Sequence, residues 1–474
     1  MDTSEVLSPH QKALRINLDP LRYGSFAEIG AGQEVVRWFF TVGGAAGTIS
    51  KSMSAYDMKV SDAIYGPCER YVCRPRLEAM LEHEHRLNSQ RLKDTRGDQT
   101  AFFAFADTVS ARNFHGTNEC HGWMGIKYQA HPRDEDSQII LHVRMLDHDN
   151  PSQQEALGIV GVNLLYGAFF LHHRPDQLIK SLLDGLSTDR IEIDMIEFSG
   201  IEFRHVDNRI MSLRLVQLGL SRAAMFAADG TVLQPSEVLR KKAILIERGS
   251  FRPVTKVNID MLENARTQFA EEADVEGESI VELMEITMRN LTSSGDLDLQ
   301  DFIARAELLE AAGKTVLISD YFEYYRLSGY LAQYTNKPIG IIMGAMSLHQ
   351  LFDEHYYTEL EGGILEAFGR LFKNNTRLYI YPFLDPENNV LYKVNNFNIK
   401  PAQEELYGYL VTCGLIRQLS QYDESLLNIF SRDVLKRIRD NDASWKQMVP
   451  PEICTTIIER RFFGYQGNGE LKPN

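Results

Sequence analysis

The sequence predicts an α/β protein in two parts. A mixed α/β domain with an antiparallel hairpin is expected over residues 1–150, and a Rossmann-like parallel-sheet domain over residues 151–422. Residues 423–474 read as a helical tail whose last stretch, "GNGELKPN", has the composition of a disordered end. Three observations carry this prediction. Val- and Ile-rich apolar runs alternate with amphipathic segments through the second half, the pattern of a parallel sheet covered on both faces. Two strand-like runs in the first half flank the polar turn "PRDED", a hairpin signal. Between these two rhythms lies the most polar break of the first half, "DHDNPSQQEA" at residues 147–156.

Taken in order, "FAEIGAG" is a short apolar run ending in glycines, and "QEVVRWFF" has helical spacing. "RPRLEAMLEHEHRLNSQRLKD" predicts a charged helix and "TAFFAFADTVSA" a strand. "GWMGIKYQAH" and "SQIILHVRML" are the two arms of the hairpin. Beyond the break, "GIVGVNLLY", "RIEIDMIEFSG", "AAMFAADG", "KAILIERGSF", "KTVLISDY", "KPIGIIMG" and "RLYIYPF" are the expected strands. The helices between them are "PDQLIKSLLDGL", "VNIDMLENARTQFAEEA", "LDLQDFIARAELLEAAG" and "AQEELYGYLVTCGLIRQL".

Composition narrows the class. The chain has 474 residues, 44% of them hydrophobic and 24% charged, as in ordinary globular proteins. Its net charge of −15 repels nucleic acid and anionic lipid, so neither is an expected partner. The N-terminal residues lack the basic-then-apolar order of a signal peptide, and "LGIVGVNLLYGAFFL" is too short for a membrane span. Five scattered cysteines argue for a reducing compartment, and "CERYVC" lacks the second pair that a tetrahedral zinc site needs. The expected location is the cytoplasm, with a small-molecule partner and a homo-oligomer as an open possibility.

The strand "AILIE" runs directly into "RGSFRPVT" and then a helix. Gly249 permits close backbone approach, Ser250 and Thr255 offer hydroxyls, and Arg248, Arg252 and Lys256 add positive charge. A helix start of this kind favours an anion. Gly249, Ser250, Phe251, Pro253, Val254 and Thr255 resemble the G-[ST]-F-x-P-[IV]-[HT]-x-G-H motif of adenylyltransferases that make dinucleotide cofactors and dephospho-coenzyme A. Val257 and Asn258 stand where that motif has Gly-His, and its I-S-S-T-x-x-R signature is absent. The whole chain also resembles a widespread bacterial family that goes under two names, nicotinate-nucleotide adenylyltransferase and TonB-dependent receptor. A receptor of that kind needs a signal peptide and many alternating strands with a lipid-facing band. The resemblance therefore implies a nucleotidyl transferase taking ATP and a nicotinate mononucleotide-like substrate, with magnesium bridging the phosphates. Gly249, Ser250, Phe251 and Thr255 would bind the nucleotide; Arg252 and Lys256 would neutralise charge, and Asn258 would stand in for the catalytic histidine.

Other constellations leave the class open. Glu28 followed by Gly30-Ala31-Gly32 at a helix start is compatible with a dinucleotide or S-adenosylmethionine loop, although the third glycine of the fingerprint falls at Val35. "NFHGTNECHGW" gathers His115, Glu119, Cys120 and His121 ahead of a strand, with His142 on a neighbouring one. These groups could bind a metal or run acid–base chemistry. Glu192 and Asp194, two apart on a strand, share a face and could hold magnesium, while Glu197 is a separate acid. The alternatives are thus a nucleotide-binding or assembly protein without chemistry, and a hydrolase or lyase using the His115–His121 loop with Asp107.

Overall fold

Strand β1 (Arg22–Gly30) is buried along nearly its whole length because parallel strands flank it on both sides. The structure, a computed structural model, describes residues 6–293 and 295–467. They form two units that divide between Ala224 and Met225. Both are α/β, the first with a mixed sheet and the second with a largely parallel one.

In the first unit β1 pairs in parallel with β2 (Ile49–Met53) and β3 (Ala101–Ser110). The sheet continues antiparallel through β4 (His121–Tyr128), β5 (Ser137–Met145) and β6 (Ile191–Gly200), in the order β2-β1-β3-β4-β5-β6. Helices α1 (Pro9–Asn17) and α2 (Val35–Thr41) share one core with Phe26, Phe105 and Met124. Two helices, the short α3 (Met58–Tyr65) and the 23-residue α4 (Arg74–Arg96), follow β2, and α4 packs on β1, β3 and β4. A Cβ on Gly125 would lie 3.1 Å from Leu81 of α4, whereas its neighbour Met124 belongs to the core shared with α1 and α2. The helices thus cover opposite faces.

Helix α5 (Asn150–Phe170) corrects two expectations. "GIVGVNLLY" is its middle, not a strand, and "DHDNPSQQEA" leads into its first turn, where Asp149 accepts the Ser152 N–H at 2.9 Å. The helix is buried on nearly all sides against the sheet, α1, α2 and the following α6 (Pro175–Ser181), so its sequence shows no helical period. The break at residue 150 therefore joins β5 to the core of its own unit. β6 and α7 (Asn208–Gln217) complete that unit.

The second unit holds β7 (Ala223–Phe226), β8 (Val232–Leu233), β9 (Ala243–Arg248), β10 (Ile280–Thr287), β11 (Thr315–Ser319), β12 (Ile339–Gly344) and β13 (Thr376–Tyr381). A small pair, β14 (Phe383–Leu384) and β15 (Leu391–Tyr392), stands apart, and β16 (Ile416–Gln418) closes the edge. The order is β16-β13-β12-β9-β10-β11-β7-β8, with parallel pairing from β16 through β11. The chain leaves β9 for β10 and β11 on one side, then returns to β12 on the other, which makes the carboxyl ends of β9 and β12 a switch point.

Among the described residues ten α-helices accompany these strands: α8 (Pro235–Leu239), α9 (Lys256–Ala270), α10 (Met288–Thr292), α11 (Leu299–Ala311), α12 (Tyr324–Leu331), α13 (Ser347–Leu351), α14 (Gly363–Phe372), α15 (Glu404–Thr412), α16 (Ser431–Arg439) and α17 (Pro451–Arg460). The predicted helix "AQEELYGYLVTCGLIRQL" breaks at Gly414, whose φ of 69° turns it into β16. The tail is part of this unit: α17 packs on α11, and Trp445 is fully buried. Residues 468–474 of the end expected to be disordered lie outside the described residues. No helix among the described residues is long and apolar enough to cross a membrane.

Candidate active site

The carboxyl ends of β1 and β3 meet at a second switch point, since the chain passes from β1 to β2 on one side and then to β3 on the other. Loops at such a point open a crevice. Polar side chains gather here on both faces of the sheet.

On the α2 face, Glu28 and Asp107 are direct neighbours across the parallel ladder, and both are buried. Burial pushes Glu28 up to about 8, against the pull of the Val35 and Val36 amides. Asp107 lies well above the usual carboxylate range, through burial and the adjoining Glu28 charge. Glu28 accepts the Val35 N–H at 2.8 Å and the Val36 N–H at 3.3 Å, so an internal carboxylate already occupies the start of α2. Gly30 takes a φ of 76°, and a Cβ on Gly32 would sit 1.9 Å from Asp107 Oδ1. The two glycines let the loop close over the acid pair. The amides of Ala31, Glu34, Val35 and Val36 are spent inside the chain, where a nucleotide phosphate would need such donors.

On the α4 face three side chains form a chain of hydrogen bonds. His142 Nδ1 lies 2.6 Å from Asp194 Oδ1, and His142 Nε2 lies 2.9 Å from His121 Nδ1. His142 and Asp194 are fully buried, whereas His121 is half-buried at the start of β4. A register shift between His142 and Val143 against β6 brings Asp194 to the histidine. Bulges re-aim side chains in this way. The Trp123 ring stands edge-on to His142 at 4.9 Å. An ionised carboxylate can only accept, so Asp194 fixes a proton of His142 on Nδ1. With His142 neutral, its Nε2 accepts the His121 Nδ1–H, and the lone pair of His121 comes to lie on Nε2.

The remaining candidates in this unit go elsewhere. Glu192 accepts from Arg144 at 2.8 Å and from the Ser221 hydroxyl at 2.7 Å, so it does not share an ion with Asp194. Glu197 receives both arms of Arg74, at 3.0 and 2.6 Å. His115 is exposed at the loop tip beside Phe114. Among the described residues no three His, Cys, Asp or Glu side chains are placed to hold a metal ion.

In the second unit the "GSFRPVT" loop lies at the β9–β12 switch point. Asn258 Oδ1 accepts the Thr255 N–H at 3.0 Å and its hydroxyl at 2.9 Å, while Asn258 Nδ2 donates to Glu247 Oε1 at 2.8 Å. Glu247 is buried, which pushes its carboxyl up to about 8. The Lys256 N–H donates to the Met448 carbonyl at 3.0 Å. Arg252 pairs with Asp301 at 2.6 Å, and Arg248 holds Glu285 with two hydrogen bonds of 2.7 and 3.0 Å. Phe251 is buried, and its ring fills the space beside Gly249, where a Cβ would meet it at 2.7 Å. Ser250 alone of these residues is exposed, with Lys256 half-buried. The groups of the motif are brought together here, but mostly as partners of one another and of nearby acids.

The sequence singled out His121, His142 and Asp194 by residue type but missed that the three are joined. It noted Glu28 and Asp107 separately and missed their pairing. Register is the missing signal in both cases.

No family model and no curated protein matches the chain. Among solved structures, a competence/damage-inducible protein from Agrobacterium tumefaciens aligns with 16% identity over 34% of this chain and 96% of that one, at a TM-score of 0.25. A CinA superfamily protein from Enterobacter cloacae aligns with 12% identity over 35% and 96%, at 0.27. A CinA superfamily protein from Escherichia coli gives 11% identity over 34% and 93%, at 0.24.

Proposed function

We propose that the first unit carries a general acid–base centre of the hydrolase or lyase class, with His121 as the base. The observation that supports it is the bond sequence Asp194–His142–His121. Asp194 and His142 are positioning residues: they set the tautomer of His121 and balance the positive charge it acquires when Nε2 takes a proton. His121 lies directly across the β3–β4 ladder from Ser110, at the same end of the sheet as the glycine loop but on its other face. The test is incubation of purified protein with a metabolite extract, followed by mass spectrometry. Products formed by wild type and reduced ~10²–10⁴-fold by His121→Ala would support the reading. Equal product formation by a folded His121→Ala variant would overturn it.

A second reading is nucleotidyl transfer from ATP, with magnesium, to a nicotinate mononucleotide-like substrate in the second unit. It is supported by the place of the "GSFRPVT" loop at a switch point, ahead of the 15-residue α9, with Ser250 exposed. Melting temperature with ATP, nicotinate mononucleotide and magnesium tests it. A rise that Ser250→Ala and Lys256→Ala remove would support it, since a ligand of the folded state stabilises that state. The absence of any rise would sink it.

A further inference from the structure

Cys68 and Cys73 belong to neither reading. Their sulfur atoms lie 3.4 Å apart, and neither is in a disulfide. A disulfide needs about 2.05 Å between sulfurs, so closing the bond takes a movement of about 1.4 Å. The segment that carries them is anchored on both sides. The Tyr71 hydroxyl donates to the carbonyls of Ala55 and Tyr56 at 2.8 and 2.7 Å, and the Tyr71 carbonyl accepts from the Thr108 hydroxyl at 2.8 Å. The Cys73 thiol donates to the Arg70 carbonyl at 3.2 Å. Access differs between the two: Cys68 is part-exposed, while Cys73 is 6% exposed at the N-cap of α4. A helix start favours the thiolate there.

We propose that Cys68 and Cys73 are an oxidation site that reacts with hydroperoxides and closes to a disulfide. The Cys68 thiolate attacks one peroxide oxygen; an S–O bond forms, the O–O bond breaks, and the leaving oxygen departs protonated as water or alcohol. The Cys73 thiolate then attacks the sulfur of the Cys68 sulfenic acid. The S–S bond forms, the S–O bond breaks, and water leaves. The two thiols together give up two electrons and two protons, and the peroxide takes both.

The experiment is treatment of the reduced full-length protein with a small excess of hydrogen peroxide, then alkylation and mass spectrometry. Trypsin cuts at Arg70, between the two cysteines, so a disulfide leaves two peptides linked. The expected result is that linkage, loss of two of the five alkylatable thiols, and their return with dithiothreitol. In Cys73→Ser the reaction should stop at a Cys68 sulfenic acid that dimedone traps. Five alkylated cysteines after peroxide, or oxidation of Cys68 to its sulfonic acid in the wild type without linkage, would overturn the proposal.

Discussion

His142 donates from Nδ1 to Asp194 Oδ1 across 2.6 Å, and both side chains are shut off from water. Asp194→Asn would keep the shape and lose the charge. The amide can offer His142 an N–H instead of a carboxylate oxygen, which reverses the tautomer and removes the lone pair from His121 Nε2. Product formation in the metabolite screen should fall ~10²–10⁴-fold, with the protein still folded. Selective ¹⁵N-histidine NMR provides the readout that a structural role alone would not move: the Nδ1–H signature of His142 should change to the other tautomer. Unchanged histidine tautomers in Asp194→Asn would remove the basis of the proposed base.

The Glu28–Asp107 pair makes the stability of the first unit depend on pH. Both carboxyls have folded values raised above their unfolded ones, Glu28 to about 8. Their contribution is complete below the unfolded values and is lost as pH rises through the folded ones. Between pH 5 and pH 8 the first unit should therefore become less stable as pH increases, with a slope of up to about 1.4 kcal/mol per pH unit for each group. Glu28→Gln and Asp107→Asn should flatten that slope in chemical denaturation at matched ionic strength. A slope that neither variant alters would show the pair to be ordinary in its titration.

How far the sequence reveals all this depends on whether the signal is local. The β9–loop–α9 passage is legible because an apolar run, a glycine turn and a helical period follow within thirty residues. Helix α5 is not, because burial on all sides removes the polar face that marks a helix. β16 is three residues long and hides behind Gly414 at the end of an amphipathic stretch. The relay is harder still. His121, His142 and Asp194 sit on three strands, and the shift in register that brings Asp194 to His142 leaves no trace in residue order. Asn258 shows another limit: its position within a motif suggested phosphate chemistry, while its partner Glu247 lies eleven residues earlier in the chain.

That partnership makes Asn258 a structural residue. Asn258→Ala removes the acceptor for the Thr255 N–H and hydroxyl and leaves Glu247 Oε1 without its donor. The expected cost is about 1–3 kcal/mol in the second unit's unfolding transition, the range for a lost cap and an unsatisfied buried polar group. Above pH 8, where the Glu247 carboxyl ionises, Glu247→Gln beside Asn258→Ala should recover part of it, because the amide is cheaper to leave buried than the carboxylate. If Asn258→Ala proves neutral in denaturant titration, the hydrogen bonds at Thr255 and Glu247 do not support this loop.

Gly32 separates a ligand loop from a packing loop. Its backbone has no positive φ to explain the glycine, and a methyl group there would meet Asp107 Oδ1 at 1.9 Å and Cγ at 2.6 Å. Asp107 is fully buried and cannot swing into solvent, so Gly32→Ala must displace the loop or the acid. The cost should be about 1–3 kcal/mol, the range for overpacking a core. Asp107→Ser takes away the colliding carboxyl oxygens, so the double variant should be less destabilised than the sum of the two singles, a coupling of about 0.5–3 kcal/mol. Additive losses in the double-mutant cycle would mean that the contact with Asp107 is not what demands glycine, and the case for a ligand approaching the Gly30–Gly32 backbone would regain its force.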